Sequence, residues 1–166
     1  MIILGIDPGL AIVGWGVIES YRGNIRPLAY GAITTPAHTP VEERLRMIAD
    51  DLGAVIDKYK PDEMAVEELF FNTNITTGIR VAEARGVIIM CAYRLGVKIF
   101  EYTPLQVKQA VVGFGRAEKK QVIDMVTRLL ALPKPPKPDD TADALAIAIC
   151  HAHTGYSRLS AYYNLK

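Results

Sequence analysis

The sequence predicts an α/β domain built on a mixed five-stranded sheet flanked by helices. Three observations predict it. Residues 1–7, MIILGID, form an almost unbroken apolar run that ends in one carboxylate, as a strand buried on both faces reads. Two further β-rich segments follow at hairpin spacing, which makes the opening strands antiparallel neighbours. From residue 41 onward, amphipathic helical segments separate two more short strands, the pattern of helices packed on a sheet.

The first strand, Met1–Asp7, runs into the turn Pro8-Gly9. Ala11–Ser20 is a second strand in which Gly14 and Gly16 flank Trp15, and glycine inside a strand marks close backbone approach or a bulge. Tyr21–Asn24 is a turn. Ile25–Thr34 is a third strand, with Pro27 near its start where an edge strand tolerates it. After the connection Pro36–Pro40, apolar residues at 41, 45, 48, 52, 55, 56 and 59 predict an amphipathic helix over Val41–Lys60, with Thr39 as N-cap and Pro40 at N1. Pro61 stops it. Met64-Ala65-Val66 is a short strand running into Glu67 and Glu68. The loop Phe70–Asn74 leads to a long helix over Ile75–Leu95, closed by Gly96 at C′. Val97–Tyr102 is the fifth strand. Thr103-Pro104 opens a helix through Val112, Gly113-Phe114-Gly115 breaks it, and Ala117–Leu130 is the next helix. Leu132–Pro138, LPKPPKP, cannot be helical. Asp139–His153 is the last helix. The reading is one domain over residues 1–154 with a C-terminal tail, 155–166.

Composition narrows the class. The 166 residues are 50% hydrophobic and 22% charged, as in a globular protein with a full core. The longest apolar runs are too short to span a bilayer, and residues 1–20 lack a basic region and cleavage site, so neither membrane insertion nor export is expected. The two cysteines, Cys91 and Cys150, sit in apolar helical stretches without metal-binding spacing, as buried thiols of a reducing cytoplasm do. Net charge is only +1, but its distribution is uneven. Residues 1–70 hold 6 Lys and Arg against 11 Asp and Glu, and residues 71–137 hold 11 against 4. Separated signs suit an acidic site for cations beside a basic surface for a polyanion.

Acids fall where an α/β sheet places a site. Asp7 ends the first strand, Glu67 and Glu68 end the fourth, and Asp140 and Asp143 share one face of the last helix's first turn. Each has a simpler explanation taken singly: Asp7 as a turn cap, Asp139 or Asp140 as a helix N-cap, Asp143 as a first-turn acid favoured by the helix dipole. Glu67 and Glu68 point to opposite faces, so one of the two can face a site. Taken together, clustered carboxylates repel and imply cations, and hard oxygen ligands suit Mg²⁺ or Mn²⁺. A carboxylate cage with two such ions about 4 Å apart serves in-line phosphodiester hydrolysis. His151 and His153 read as part of a helix terminus. Arg80, Lys108, Arg116, Lys119 and Lys120 fall near helix starts on the site side, and one of Phe70 and Phe71 can stack on an unpaired base.

The segments ILGIDPG (3–9), AVEELF (65–70), ARGV (84–87), QVKQAVVGFG (106–115), AEK (117–119) and DDTADALAIAI (139–149) resemble, in order, the RuvC family of bacterial crossover-junction (Holliday junction) endodeoxyribonucleases. The resemblance implies a ribonuclease H-like fold, a homodimer, and Mg²⁺- or Mn²⁺-dependent cutting of two opposed strands of a four-way DNA junction in recombination and repair. It implies Asp7, Glu67, Asp140 and Asp143 as catalytic acids and metal ligands, two ions per site. Phe70 corresponds to the family's aromatic near the junction centre, Lys108 and Lys119 to basic residues near the scissile phosphates, and Arg80 to a basic position. The family's loop after the aromatic usually carries a lysine where this chain has Thr73. Delivery to junctions by the branch-migration complex RuvA with RuvB is also implied.

Two rivals belong to other classes. The actin-like ATP-binding phosphotransferases share an Asp-x-Gly turn after the first strand, matched here by Asp7-Pro8-Gly9, but they need two lobes and this length provides one. A non-catalytic junction-binding module would keep the basic surface without needing all four acids.

Overall fold

The computed structural model describes residues 1–69 and 75–163. The chain runs β1 (Ile2–Asp7), β2 (Ile12–Tyr21), β3 (Asn24–Thr34), α1 (Val41–Tyr59), β4 (Glu63–Glu67), α2 (Ile75–Arg94), β5 (Lys98–Tyr102), α3 (Pro104–Val112), α4 (Lys119–Leu129) and α5 (Asp139–Tyr163). The five strands form one sheet in the order β3-β2-β1-β4-β5. β1 pairs antiparallel with β2 and parallel with β4, and β4 pairs parallel with β5. The apolar β1 is therefore central, and the Pro27-bearing β3 is an edge.

Period-two alternation sorts the central strands onto two cores. Ile3 and Ala65 pack on the face covered by α3, α4 and α5. Leu4, Ile6, Met64 and Val66 pack on the face covered by α1 and α2. Helix α5 is buried almost all round from Thr141 to Ala152, as suits a helix lying under other helices and over the sheet. Its close approach depends on glycine. A Cβ at Gly5 would overlap the carbonyl of Ala144, and one at Gly14 would overlap the carbonyl of Asp140. Those two positions let the start of α5 settle directly on β1 and β2.

Two local expectations are corrected. The N-cap of α1 is Pro40, without a side-chain cap, because Thr39 is taken up in a turn in which its N–H donates to the Pro36 carbonyl. Glu42 and Glu43 in the first turn favour this helix end through the dipole instead. Helix α5 does not stop at His153 but runs to Tyr163, into the stretch expected to be a tail. No proline follows Pro138 in the sequence, and one internal glycine costs a helix only about 1 kcal/mol. The other boundaries differ by a residue or two. Among the described residues no helix is long and apolar enough to cross a membrane.

Candidate active site

The pleat places the strand acids. Asp7 lies two residues beyond Gly5 and four beyond Ile3, so it shares their α5-facing side. The parallel register pairs Gly5 with Ala65 and Ile6 with Val66, which sets Asp7 and Glu67 side by side at the carboxyl ends of neighbouring strands. Glu67 has the parity of Ala65 and shares Asp7's face, and Glu68 follows it outside the strand. The first turn of α5, seated on Gly14, brings Asp140 and Asp143 over the same sheet end.

The electrostatics register both the burial and the gathering of these acids. Asp7 is pushed up from 3.8 to about 8, first by burial and then by the charges of Asp143, Glu67 and Asp140, with Lys119 opposing. Glu67 is also raised, by burial and by Asp143, against the lowering pull of Lys108 and Lys119. Among the described residues no three of the acids converge into a finished metal cage. Lys119 Nζ stands 2.8 Å from Asp143 Oδ2, and that hydrogen bond holds the lysine's own pKa up.

The basic residues divide. Lys108 and Lys119 line a cleft of about 170 Å³ together with Glu67 and Asp143. Lys119 opens α4, whose start is fixed by Glu118 N–H donating to Gln121 Oε1 at 2.8 Å. Arg116 and Lys120 are exposed and line neither this cleft nor the one beside Arg80. Arg80 is on the far flank of Asp140, paired with Glu83 at 2.9 Å. Arg85 donates from Nε to the Glu67 carbonyl (3.1 Å) and pairs with Glu101 at 3.0 Å, so it clamps the end of β4. Phe70, Phe71 and Thr73 lie outside the described residues.

One polar group escaped the sequence. His151, 1% exposed, is not a loose helix terminus. Its Nε2 lies 2.6 Å from Glu63 Oε2 and its Nδ1 2.7 Å from the Tyr102 hydroxyl, with Phe100 tilted against the ring at 4.6 Å. The carboxylate can only accept, so Nε2 carries a proton. The network joins α5 to β4 and β5 across 88 and 49 residues of chain, separations that no local pattern signals.

A mixed sheet whose two central parallel strands end in carboxylates, crossed by a helix that brings two more, is the ribonuclease H-like arrangement. The family model described as crossover junction endodeoxyribonuclease RuvC matches residues 3–151. The crossover junction endodeoxyribonuclease RuvC of Alkaliphilus oremlandii is 60% identical over 156 residues, 93% of this chain and 94% of that relative. The solved Thermus thermophilus RuvC structure matches with a TM-score of 0.87 at 35% identity, over 95% of this chain and 97% of that one. T. thermophilus RuvC in complex with Holliday junction substrate matches with a TM-score of 0.88 at 37% identity, over 96% of each chain. The chain belongs to the RuvC family of crossover junction endodeoxyribonucleases.

Proposed function

We propose that this protein resolves four-way DNA junctions by hydrolysing phosphodiester bonds in two opposed strands, in recombination and DNA repair. The observation that carries the reading is the gathering of Asp7, Glu67, Asp140 and Asp143 at one sheet end, where burial first and the neighbouring carboxylates second hold Asp7 near pKa 8, in a member of this family. Such an arrangement is unfavourable for four carboxylates alone and suits them as hard-oxygen ligands of divalent cations. Asp7, Glu67, Asp140 and Asp143 would hold two Mg²⁺ ions, for which Mn²⁺ can substitute. When bound, the ions supply a water of lowered pKa and a counter-charge for the departing 3′-oxygen.

The chain's own residues do the rest. β1 and β4 fix Asp7 and Glu67 on a rigid sheet, and α5 fixes the other two acids against it. Lys119 and Lys108 face the acids across the cleft, where they attract and orient the phosphate to be cut. Arg80, Arg116 and Lys120 extend that basic surface along the backbone, and Phe70 is assigned the stacking role at the junction centre.

Paired cuts call for two sites, and we infer a homodimer. Helix α2 presents Ile79, Met90 and Tyr93, 50%, 58% and 75% exposed, in one stripe with the exposed Gly86. Ile88, Ala84 and Ala92 on the same helix are buried in the core, so the stripe is apolar surface beyond what sheet packing needs. Residues 1–154 are taken as the nuclease domain with 155–166 as an extension, working in the cytoplasm with RuvA and RuvB. Incubation with a synthetic four-way junction tests the reading. Symmetric nicks that need Mg²⁺ support it; binding without nicks at any metal concentration would leave a binding module.

A further inference from the structure

Asp140 borders a second cleft, of about 450 Å³, lined by Gly9, Ala11, Arg44, Arg80 and Val81. Arg44 is the resident that local structure does not explain. It lies in the first turn of α1, after Glu42 and Glu43, where the helix dipole favours anions and opposes a cation. It is nevertheless held in place. Its Nε donates to Thr35 Oγ1 at 2.8 Å. Thr35 is itself only 7% exposed; its hydroxyl donates to the Leu10 carbonyl at 2.6 Å and its backbone N–H to the Ala11 carbonyl at 3.0 Å. The half-buried guanidinium is thereby docked on the turn that follows Asp7. Among the described residues no carboxylate pairs with it.

We propose that Arg44, together with Arg80, binds a backbone phosphodiester of the DNA strand next to the one being cut. The geometry supports this in three ways. With Nε committed to Thr35, the two Nη groups remain as a planar fork, the donor pattern that matches two phosphate oxygens. The fork is already immobilised, so little side-chain freedom is lost when a ligand arrives. The cleft shares Asp140 with the proposed catalytic acids, and its volume admits a sugar-phosphate unit rather than a bare ion. An anion beside Asp140 needs more than one cation to balance that carboxylate, and two arginines line the cleft, Arg44 without a carboxylate partner among the described residues and Arg80 in an exposed pair with Glu83. This inference rests on the junction-cleaving reading and extends its substrate path to the far side of Asp140.

The test measures junction binding by fluorescence anisotropy across a salt series for wild type, Arg44→Gln and Arg44→Lys, each with its melting temperature. Arg44→Gln keeps a donor for Thr35 and removes the charge. One lost phosphate contact should make its log K against log salt slope shallower by about 0.9, with affinity at low salt down by about tenfold. Arg44→Lys should restore the slope but only part of the affinity, because it has the charge and not the fork. A slope unchanged in Arg44→Gln, with or without a lower melting temperature, would make Arg44 a holder of the turn and overturn this inference alone. Wild type that binds no junction would overturn the functional reading and this inference with it.

Discussion

The two ends of α5's buried stretch treat charge in opposite ways. Near its far end, His151 meets Glu63 and Tyr102 at 2.6 and 2.7 Å, and the charge and polar atoms are satisfied within the fold. At its start, Asp140 and Asp143 add negative charge to Asp7 and Glu67, and burial together with that charge holds a proton on Asp7 up to about pH 8. Glu63 and Glu67 sit four residues apart on the same face of β4, so strand position and burial alone do not set their fates. The difference is the partner each meets. An acid given a histidine fastens α5 to the sheet; acids left with each other and two lysines keep a repulsion that folding does not relieve and that the proposed cations would.

The comparison can be broken from either end. After Asp7 itself, the largest effect is expected for Glu67→Gln at the crowded end, which should slow junction cleavage by about 10²–10³-fold in single-turnover assays with little change in melting temperature, since it removes a proposed metal-holding charge and no packing. At the satisfied end, His151→Ala should remove the ring that meets Glu63 and Tyr102 and lower stability by about 3 kcal/mol in urea titration. The folded fraction should cleave within about threefold of wild type; a cleavage loss without a stability loss would erase the distinction.

A third expected effect is on pH dependence. The folded pKa of Asp7 is above its ordinary value, so between about pH 4 and 8 the folded state holds more protons than the unfolded one, and stability falls as pH rises through that window. Metal-free protein should lose about 2 kcal/mol from this source between pH 5 and 7, and Mg²⁺ should restore more stability at pH 8 than at pH 6. Melting curves that are flat in pH, with and without Mg²⁺, would remove the crowding argument. The smallest effect is expected for Lys119→Ala, about tenfold on cleavage, because Lys108 shares the cleft.

Much of this was legible in residue order. The apolar run of β1 announced a central strand, its antiparallel and parallel neighbours followed from hairpin and helix spacing, and the acids stood at element ends where the structure brings them together. The pleat alone could not choose between Glu67 and Glu68, because the choice depends on which face α5 covers. Gly14 and Gly16 signalled close approach without naming what approaches, since α5 arrives from more than 120 residues away; Gly5, hidden in the apolar run, gave no such signal. His151 and Arg44 were invisible for the same reason: their partners, Glu63, Tyr102 and Thr35, are tertiary neighbours. The continuation of α5 to Tyr163 is not marked in residue order either, because the glycine at 155 looks like a terminus.

The measurement that bears most directly on the central claim sets Asp7→Asn beside wild type on one synthetic four-way junction with Mg²⁺, scoring binding and cleavage in the same samples. The substitution keeps the shape of the strand end and removes the carboxylate at the centre of the cluster. The account predicts junction affinity within about twofold of wild type and cleavage lower by at least about 10³-fold. Cleavage that survives the substitution, or binding that falls in step with cleavage, would contradict it.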